Sequence, residues 1–135
     1  MGKHLLFIDD DSAFLYLLER TCKRIEEVSK VSCASNGKNA LDFLDEHLTT
    51  GQDLPHIAFV DINMPVMDGF EFLEHFKQRR DQFLKLKEII PIVMLTSSNE
   101  NKDKEKAFST GIVDQYIIKP SDIKEMENII REIST

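Results

Sequence analysis

The chain has 135 residues, 41% hydrophobic and 30% charged, with a formal net charge of −7. This is the size and balance of one globular domain with a full core, and the acidic charge argues against nucleic acid or an anionic membrane as partner. No apolar run approaches the roughly 20 residues of a membrane span, and Met1-Gly2-Lys3-His4 leads straight into a strand-length run, so neither a membrane anchor nor a signal peptide is expected and a cytoplasmic location is.

The first strand is expected over His4–Asp9 and the first helix over Ser12–Val28, with Phe14, Leu17, Leu18 and Ile25 near one face and Asp11 or Ser12 as cap. A weak second strand spans Lys30–Ala34, and Asn36-Gly37 turns into a second helix over Lys38–His47 that faces Ala40, Leu41 and Leu44 inward. Thr50-Gly51-Gln52-Asp53 reads as a loop before a third strand, Ile57–Asp61. Asn63-Met64-Pro65 cannot continue a central strand, and Asp68-Gly69 opens a third helix carrying Phe70, Leu73 and Phe76. That helix leads into an unusually charged stretch, Lys77–Glu88. The fourth strand is Ile92–Thr96, followed by a lysine-rich fourth helix over Asn99–Ser109 with Gly111 as C-terminal cap. The fifth strand is Gln115–Ile118, and Ser121 caps a fifth helix running through Ile123, Met126, Ile129 and Ile130 to Ile133.

Strand and helix alternate throughout, which predicts an α/β fold: a parallel sheet covered by helices on both faces. The apolar runs are continuous rather than alternating, as strands buried on both faces require. In such a sheet the strand C-termini share one edge, and ligands bind there. Leu5-Leu6-Phe7-Ile8 runs into Asp9-Asp10, Ile57-Ala58-Phe59-Val60 into Asp61, Ile92-Val93-Met94-Leu95 into Thr96-Ser97, and Ile117-Ile118 into Lys119-Pro120. Three carboxylates, a hydroxyl and an ammonium therefore converge. Packed carboxylates repel unless a cation sits between them, and Mg²⁺ favours oxygen ligands of this kind. Asp9, Asp10 and Asp61 are its candidate ligands, with the backbone carbonyl of Asn63 as a further one. Asp61 is the candidate nucleophile, since a carboxylate attacks phosphorus to give an aspartyl phosphate. Lys119 would pair with Asp61 and then with a phosphoryl oxygen, and Thr96 would donate its hydroxyl to another. Asn63 and Ser98, each two residues beyond a pocket residue, would flank an attacking water and tune dephosphorylation.

These stretches carry a family resemblance. Ile8-Asp9-Asp10 with Asp11-Ser12, Val60-Asp61-Ile62-Asn63-Met64-Pro65-Val66-Met67-Asp68-Gly69, Met94-Leu95-Thr96-Ser97 and Tyr116-Ile117-Ile118-Lys119-Pro120 follow the expected order. Together they resemble the receiver domain of two-component response regulators, over essentially the full length. The resemblance implies a flavodoxin-like doubly wound sheet of five parallel strands in order 2-1-3-4-5, with five helices. It implies Asp61 as phosphoacceptor, Asp9 and Asp10 as the acidic metal pair, Thr96 and Lys119 as the phosphate-sensing pair, Tyr116 as the switch aromatic, and often a cis Lys119-Pro120 bond. Mg²⁺ is the implied cofactor, with Mn²⁺ as substitute.

The expected partner is a sensor histidine kinase or histidine phosphotransfer protein, with a downstream protein target on the helix 4–strand 5–helix 5 face, the domain being a monomer or a phosphorylation-dependent dimer. The chain is expected as a single receiver over 1–135 without an output domain, and as a self-phosphorylating switch rather than a turnover enzyme. Two other readings remain: a receiver-like interaction module that works without phosphorylation, and a haloacid-dehalogenase-type phosphatase using Asp9 in Asp9-Asp10-Asp11. A Gly-rich phosphate loop is absent, which disfavours nucleotide binding. His4, His47, His56 and His75 show no ligand spacing and are expected at the surface or rim. Cys22 and Cys33 are too few for a disulfide framework and are expected as buried small hydrophobes.

Overall fold

The structure, a computed structural model, describes residues 2–50, 53–82 and 90–135. Its strands are β1 (Lys3–Ile8), β2 (Val28–Ala34), β3 (Ile57–Val60), β4 (Ile92–Thr96) and β5 (Val113–Ile118). The helices among these residues are α1 (Ser12–Cys22), α2 (Gly37–Thr50), α3 (Gly69–Gln82), α4 (Asn101–Ser109) and α5 (Ile123–Ser134). Gly51 and Gln52 of the expected loop, and residues 83–89 of the charged stretch after α3, lie outside the described residues.

The sheet is parallel throughout, in the order β2-β1-β3-β4-β5, as the resemblance implies. Successive strand side chains alternate between faces, and each face has its own helical cover. Leu6, Ile8, Ala58, Val60, Ile92 and Met94 pack under α2, α3 and α4. Leu5, Phe7, Ile57, Phe59, Val93 and Leu95 pack under α1 and α5, against Leu18, Cys22, Met126 and Ile130. The chain leaves β1 in one direction for β2 and crosses back for β3. The crevice outside the C-termini of β1 and β3 is therefore the topological switch point.

Several local expectations are corrected. α1 stops at Cys22, six residues early, because the Arg24 and Ile25 amides close a tighter turn on Thr21 and Cys22. That turn buries Ile25 and brings Val28 against Lys3 to start β2 two residues early. Leu17 is 47% exposed, so the buried stripe of α1 is narrower than its apolar spacing. α2 runs to Thr50, and its cap is Asn36, which accepts the Asn39 amide at 2.8 Å. α4 begins at Asn101 rather than Asn99, β5 begins at Val113, and α5 is capped by Asp122 rather than Ser121, through the Lys124 amide at 2.9 Å. Gly111 does follow α4 with φ +80, a conformation that favours glycine.

β2 and β5 are edge strands, so their apolar residues are only part-covered. Ile118 is 50% exposed, and Cys33 is half-buried with its thiol 3.2 Å from Glu19 Oε1. Cys22 is buried as expected, and burial pushes both thiols up to about 12. His4 is not a rim residue. It is 3% exposed, on the α2 side of β1, with Nε2 2.8 Å from Ser32 Oγ and the ring edge-on to Phe43.

Candidate functional site

Each pocket residue is placed by the backbone ladder continuing just past a strand end. The Asp9 amide donates to Ala34 O at 3.0 Å, the Asp61 amide to Ile8 O at 2.9 Å, and the Lys119 amide to Thr96 O at 2.8 Å. These bonds carry the sheet order one residue beyond the strands and put Asp9 beside Asp61. Asp9 Oδ1 then accepts the Asp11 amide at 2.9 Å, and Asp11 itself caps α1 through the Phe14 amide at 3.0 Å. Asp61 Oδ1 accepts the Ile62 amide at 2.8 Å. Both carboxylates are thus oriented by backbone, with one oxygen left for the pocket.

Lys119 takes both of those oxygens. Its Nζ lies 2.7 Å from Asp9 Oδ2 and 3.2 Å from Asp61 Oδ2, with all three side chains mostly buried. The ring of Phe14, on α1, lies under the same ammonium at 4.6 Å from its centroid. Burial works against the Lys119 charge, yet the Asp9 and Asp61 carboxylates outweigh it and hold its pKa above the ordinary lysine value. Burial likewise pushes the Asp9 carboxyl up, and the Asp61 charge adds to this, while Lys119 and the Asp11 amide pull the other way. The repulsion expected between the acidic residues is therefore met by Lys119, the protein's own cation. Asp10 stands apart from this network: it is exposed.

Asp9, Asp10 and Asp61 offer carboxylate oxygens that all lie within 4.8 Å of one another. An all-oxygen set of this size, open on the Asp10 side, fits a hard divalent cation that keeps several waters. The close approach of α3 completes the pocket wall. A Cβ on Gly69 would run into the Asp61 carbonyl oxygen, so only glycine lets α3 start there, and its amide donates to Ile62 O at 2.7 Å. Asp68 and Glu71 close a reciprocal capping box on the same turn. Asn63 is exposed on the loop between β3 and α3.

Thr96 is fully buried, and its Oγ1 accepts the Ser98 amide at 3.3 Å. Ser98 turns its hydroxyl toward α4, donating to Asp103 Oδ2 at 2.6 Å. Tyr116 is half-buried against the α4 side of the core, and its hydroxyl donates to Ser98 O at 2.9 Å. Burial raises the Tyr116 phenol, with the charges of Asp103, Asp61 and Glu100 adding to it and the bond to Ser98 opposing it. The described residues contain no cis peptide bond, so Lys119–Pro120 is trans, against the expectation of a cis bond. Among the lysines of α4, Lys102 pairs with Glu100 at 3.4 Å and Lys106 sits over the Phe70 ring at 4.3 Å.

Two contributors escape a reading by motif. Phe14 looks like an ordinary core residue of α1, and Asp103 like one more charge on a polar helix. Only the packing of α1 against Lys119, and of α4 against the turn after β4, gives them a role.

The sequence profile of the response regulator receiver domain matches residues 5–131. The chain is 32% identical over 129 residues to the probable methanogenesis regulatory protein FilR2 of Methanothrix harundinacea (strain 6Ac), covering 96% of this chain and 79% of that protein. It is 34% identical over 121 residues to the heme response regulator HssR of Staphylococcus saprophyticus subsp. saprophyticus, covering 90% of this chain but spanning only 46% of that relative's length. The fold superposes on the crystal structure of the Mn²⁺-bound form of response regulator Rcp1 with a TM-score of 0.78 and 26% identity, over 98% of this chain and 91% of that one. No helix among the described residues is long and apolar enough to cross a membrane. With the profile match over nearly the whole chain, the parallel 2-1-3-4-5 sheet and the acidic switch-point pocket, the chain belongs to the response regulator receiver domain family.

Proposed function

We propose that this receiver accepts a phosphoryl group on Asp61 from the phosphohistidine of a partner kinase or phosphotransfer protein. One observation carries the reading: the Asp61 carboxylate is held by the Ile62 amide at Oδ1 and by Lys119 at Oδ2, inside the three-carboxylate cluster. An Asp61 oxygen attacks phosphorus as the bond to the donor nitrogen breaks. Lys119, paired with both the Asp9 and Asp61 carboxylates, moves its ammonium to a phosphoryl oxygen; the Thr96 hydroxyl donates to another. Asp9, Asp10, Asp61 and the Asn63 carbonyl would hold Mg²⁺, or Mn²⁺ in its place, which when bound neutralises charge on the transferring group. Asn63 and Ser98 tune how long the aspartyl phosphate lasts. Tyr116 reports the state of Thr96 to the face of α4, β5 and α5, where a downstream protein docks. The protein works as a switch and does not turn over a separate substrate.

Acetyl phosphate with Mg²⁺ should add one phosphoryl group per chain by intact mass, with none added to Asp61→Asn. Equal labelling of Asp61→Asn, or catalytic release of phosphate from a generic phosphomonoester, would overturn the assignment.

A further inference from the structure

α4 differs from its neighbours in how its first turn is held. α1, α2, α3 and α5 start at side-chain caps from Asp11, Asn36, Asp68 and Asp122. The residue before α4, Glu100, makes no side-chain cap bond. Instead Asp103, inside the first turn, reaches back out of the helix and accepts the Ser98 hydroxyl at 2.6 Å, the short distance of a charge-assisted bond. Its carboxylate also sits at the positive end of the helix, which stabilises it there. The Glu100 amide adds a longer contact to Ser98 Oγ at 3.4 Å.

Ser98 is therefore a junction of separate elements. Its amide holds Thr96 Oγ1, its carbonyl holds Tyr116 of β5, and its hydroxyl holds Asp103 of α4. Of these bonds the one to Thr96 is the longest, at 3.3 Å. When the Thr96 side chain turns toward a phosphoryl group, that bond is the first to be given up, and Ser98 is left on its other two ties.

We propose that Asp103 is a positioning residue that couples α4 to the phosphoryl pocket: through the Ser98 hydroxyl it ties the uncapped first turn of α4 to the residue that registers the movement of Thr96. The proposal rests on Asp61 as phosphoacceptor and adds to it a side chain through which the signal reaches α4. Asp103→Asn keeps an acceptor oxygen for Ser98, whereas Asp103→Ala and Ser98→Ala do not. Removing a hydrogen bond to a charged group changes a local equilibrium by about tenfold or more.

The test uses the full chain, with beryllofluoride and Mg²⁺ as the phosphoryl mimic and amide exchange and chemical shifts as readouts. In the parent, the response should run from Asp61 and Thr96 through Ser98 to the amides of 101–104. In Asp103→Ala the pocket should still respond, the chemical-shift response of 101–104 should be lost, and exchange of the amides of residues 103 and 104, both bonded to Glu100 O, should already be about tenfold faster without mimic. Ser98→Ala should match it, the double variant should add nothing, and Asp103→Asn should restore the parent's response. If α4 of Asp103→Ala responds as in the parent, or if Asp103→Asn fails as completely as the alanine, the proposal falls while Asp61 stands. If the parent's pocket does not respond to the mimic at all, the phosphoacceptor reading fails, and this one with it.

Discussion

His4 makes the stability of this domain depend on mild acid. The imidazole is 3% exposed, its Nε2 is committed to Ser32 Oγ, and its Nδ1 has no hydrogen-bond partner among the described residues. A second proton would place an unpaired N–H and a charge in the core. Burial, then Lys30 of β2, then His56 and His47, all lower its pKa; Asp53 opposes them, and the value falls from 6.5 to about 4. The unfolded chain therefore binds this proton more readily than the folded one, and stability present above pH 6.5 is lost as the pH falls toward 4. The gap is worth about 3 kcal/mol when fully expressed and about 2 kcal/mol at pH 5, for a native value of about 4. In a domain of this size that is about 6–10 °C in Tm. His4→Gln keeps a hydrogen-bonding partner for Ser32 without a titrating ring. Its Tm should fall by about 6–10 °C less than the parent's between pH 7.5 and 5. Subtracting the variant cancels the carboxylates, including Asp9, whose raised pKa works in the other direction. Parallel losses in parent and variant, or a His4 ring that titrates near 6.5 by NMR, would refute the reasoning.

Two further outcomes follow from the pocket and its wall. The chain has no tryptophan, so Phe14→Trp puts a single indole beside the Lys119 ammonium; its fluorescence should change on adding Mg²⁺ and should stay unchanged when Asp9→Asn is added. Val66 is 76% exposed at φ 68, a conformation that strains a β-branched residue, while Gly69 has backbone where a Cβ would go. Val66→Asn should therefore stabilise by about 1 kcal/mol and Gly69→Ala destabilise by about 1–3 kcal/mol in urea unfolding, with a loss in Val66→Asn or a neutral Gly69→Ala counting against that backbone geometry.

The sequence by itself determined the sheet, the helices and the chemical content of the pocket. Strand runs such as Leu5–Ile8 and Ile57–Val60 are local signals, and each leads into a candidate pocket residue, so a parallel sheet necessarily gathers Asp9, Asp61, Thr96 and Lys119 at one edge. What depends on contacts between elements far apart in the chain was decided only by the tertiary structure. The apolar spacing of α1 includes Leu17, but the packed helix leaves it exposed while Leu18 on the same turn is buried. Ile118 reads as core, yet β5 is an edge strand and covers only part of it. His4 reads as a polar strand start, and the descent of α2 over β1 buries it. Lys119 was expected to pair with Asp61; the register that sets β1 beside β3 also gives it Asp9, at the shorter distance. Hydrogen bonds such as that of Asp103 to Ser98 are decided within a few tenths of an ångström by how α4 settles on the sheet, and no residue pattern encodes that placement in advance.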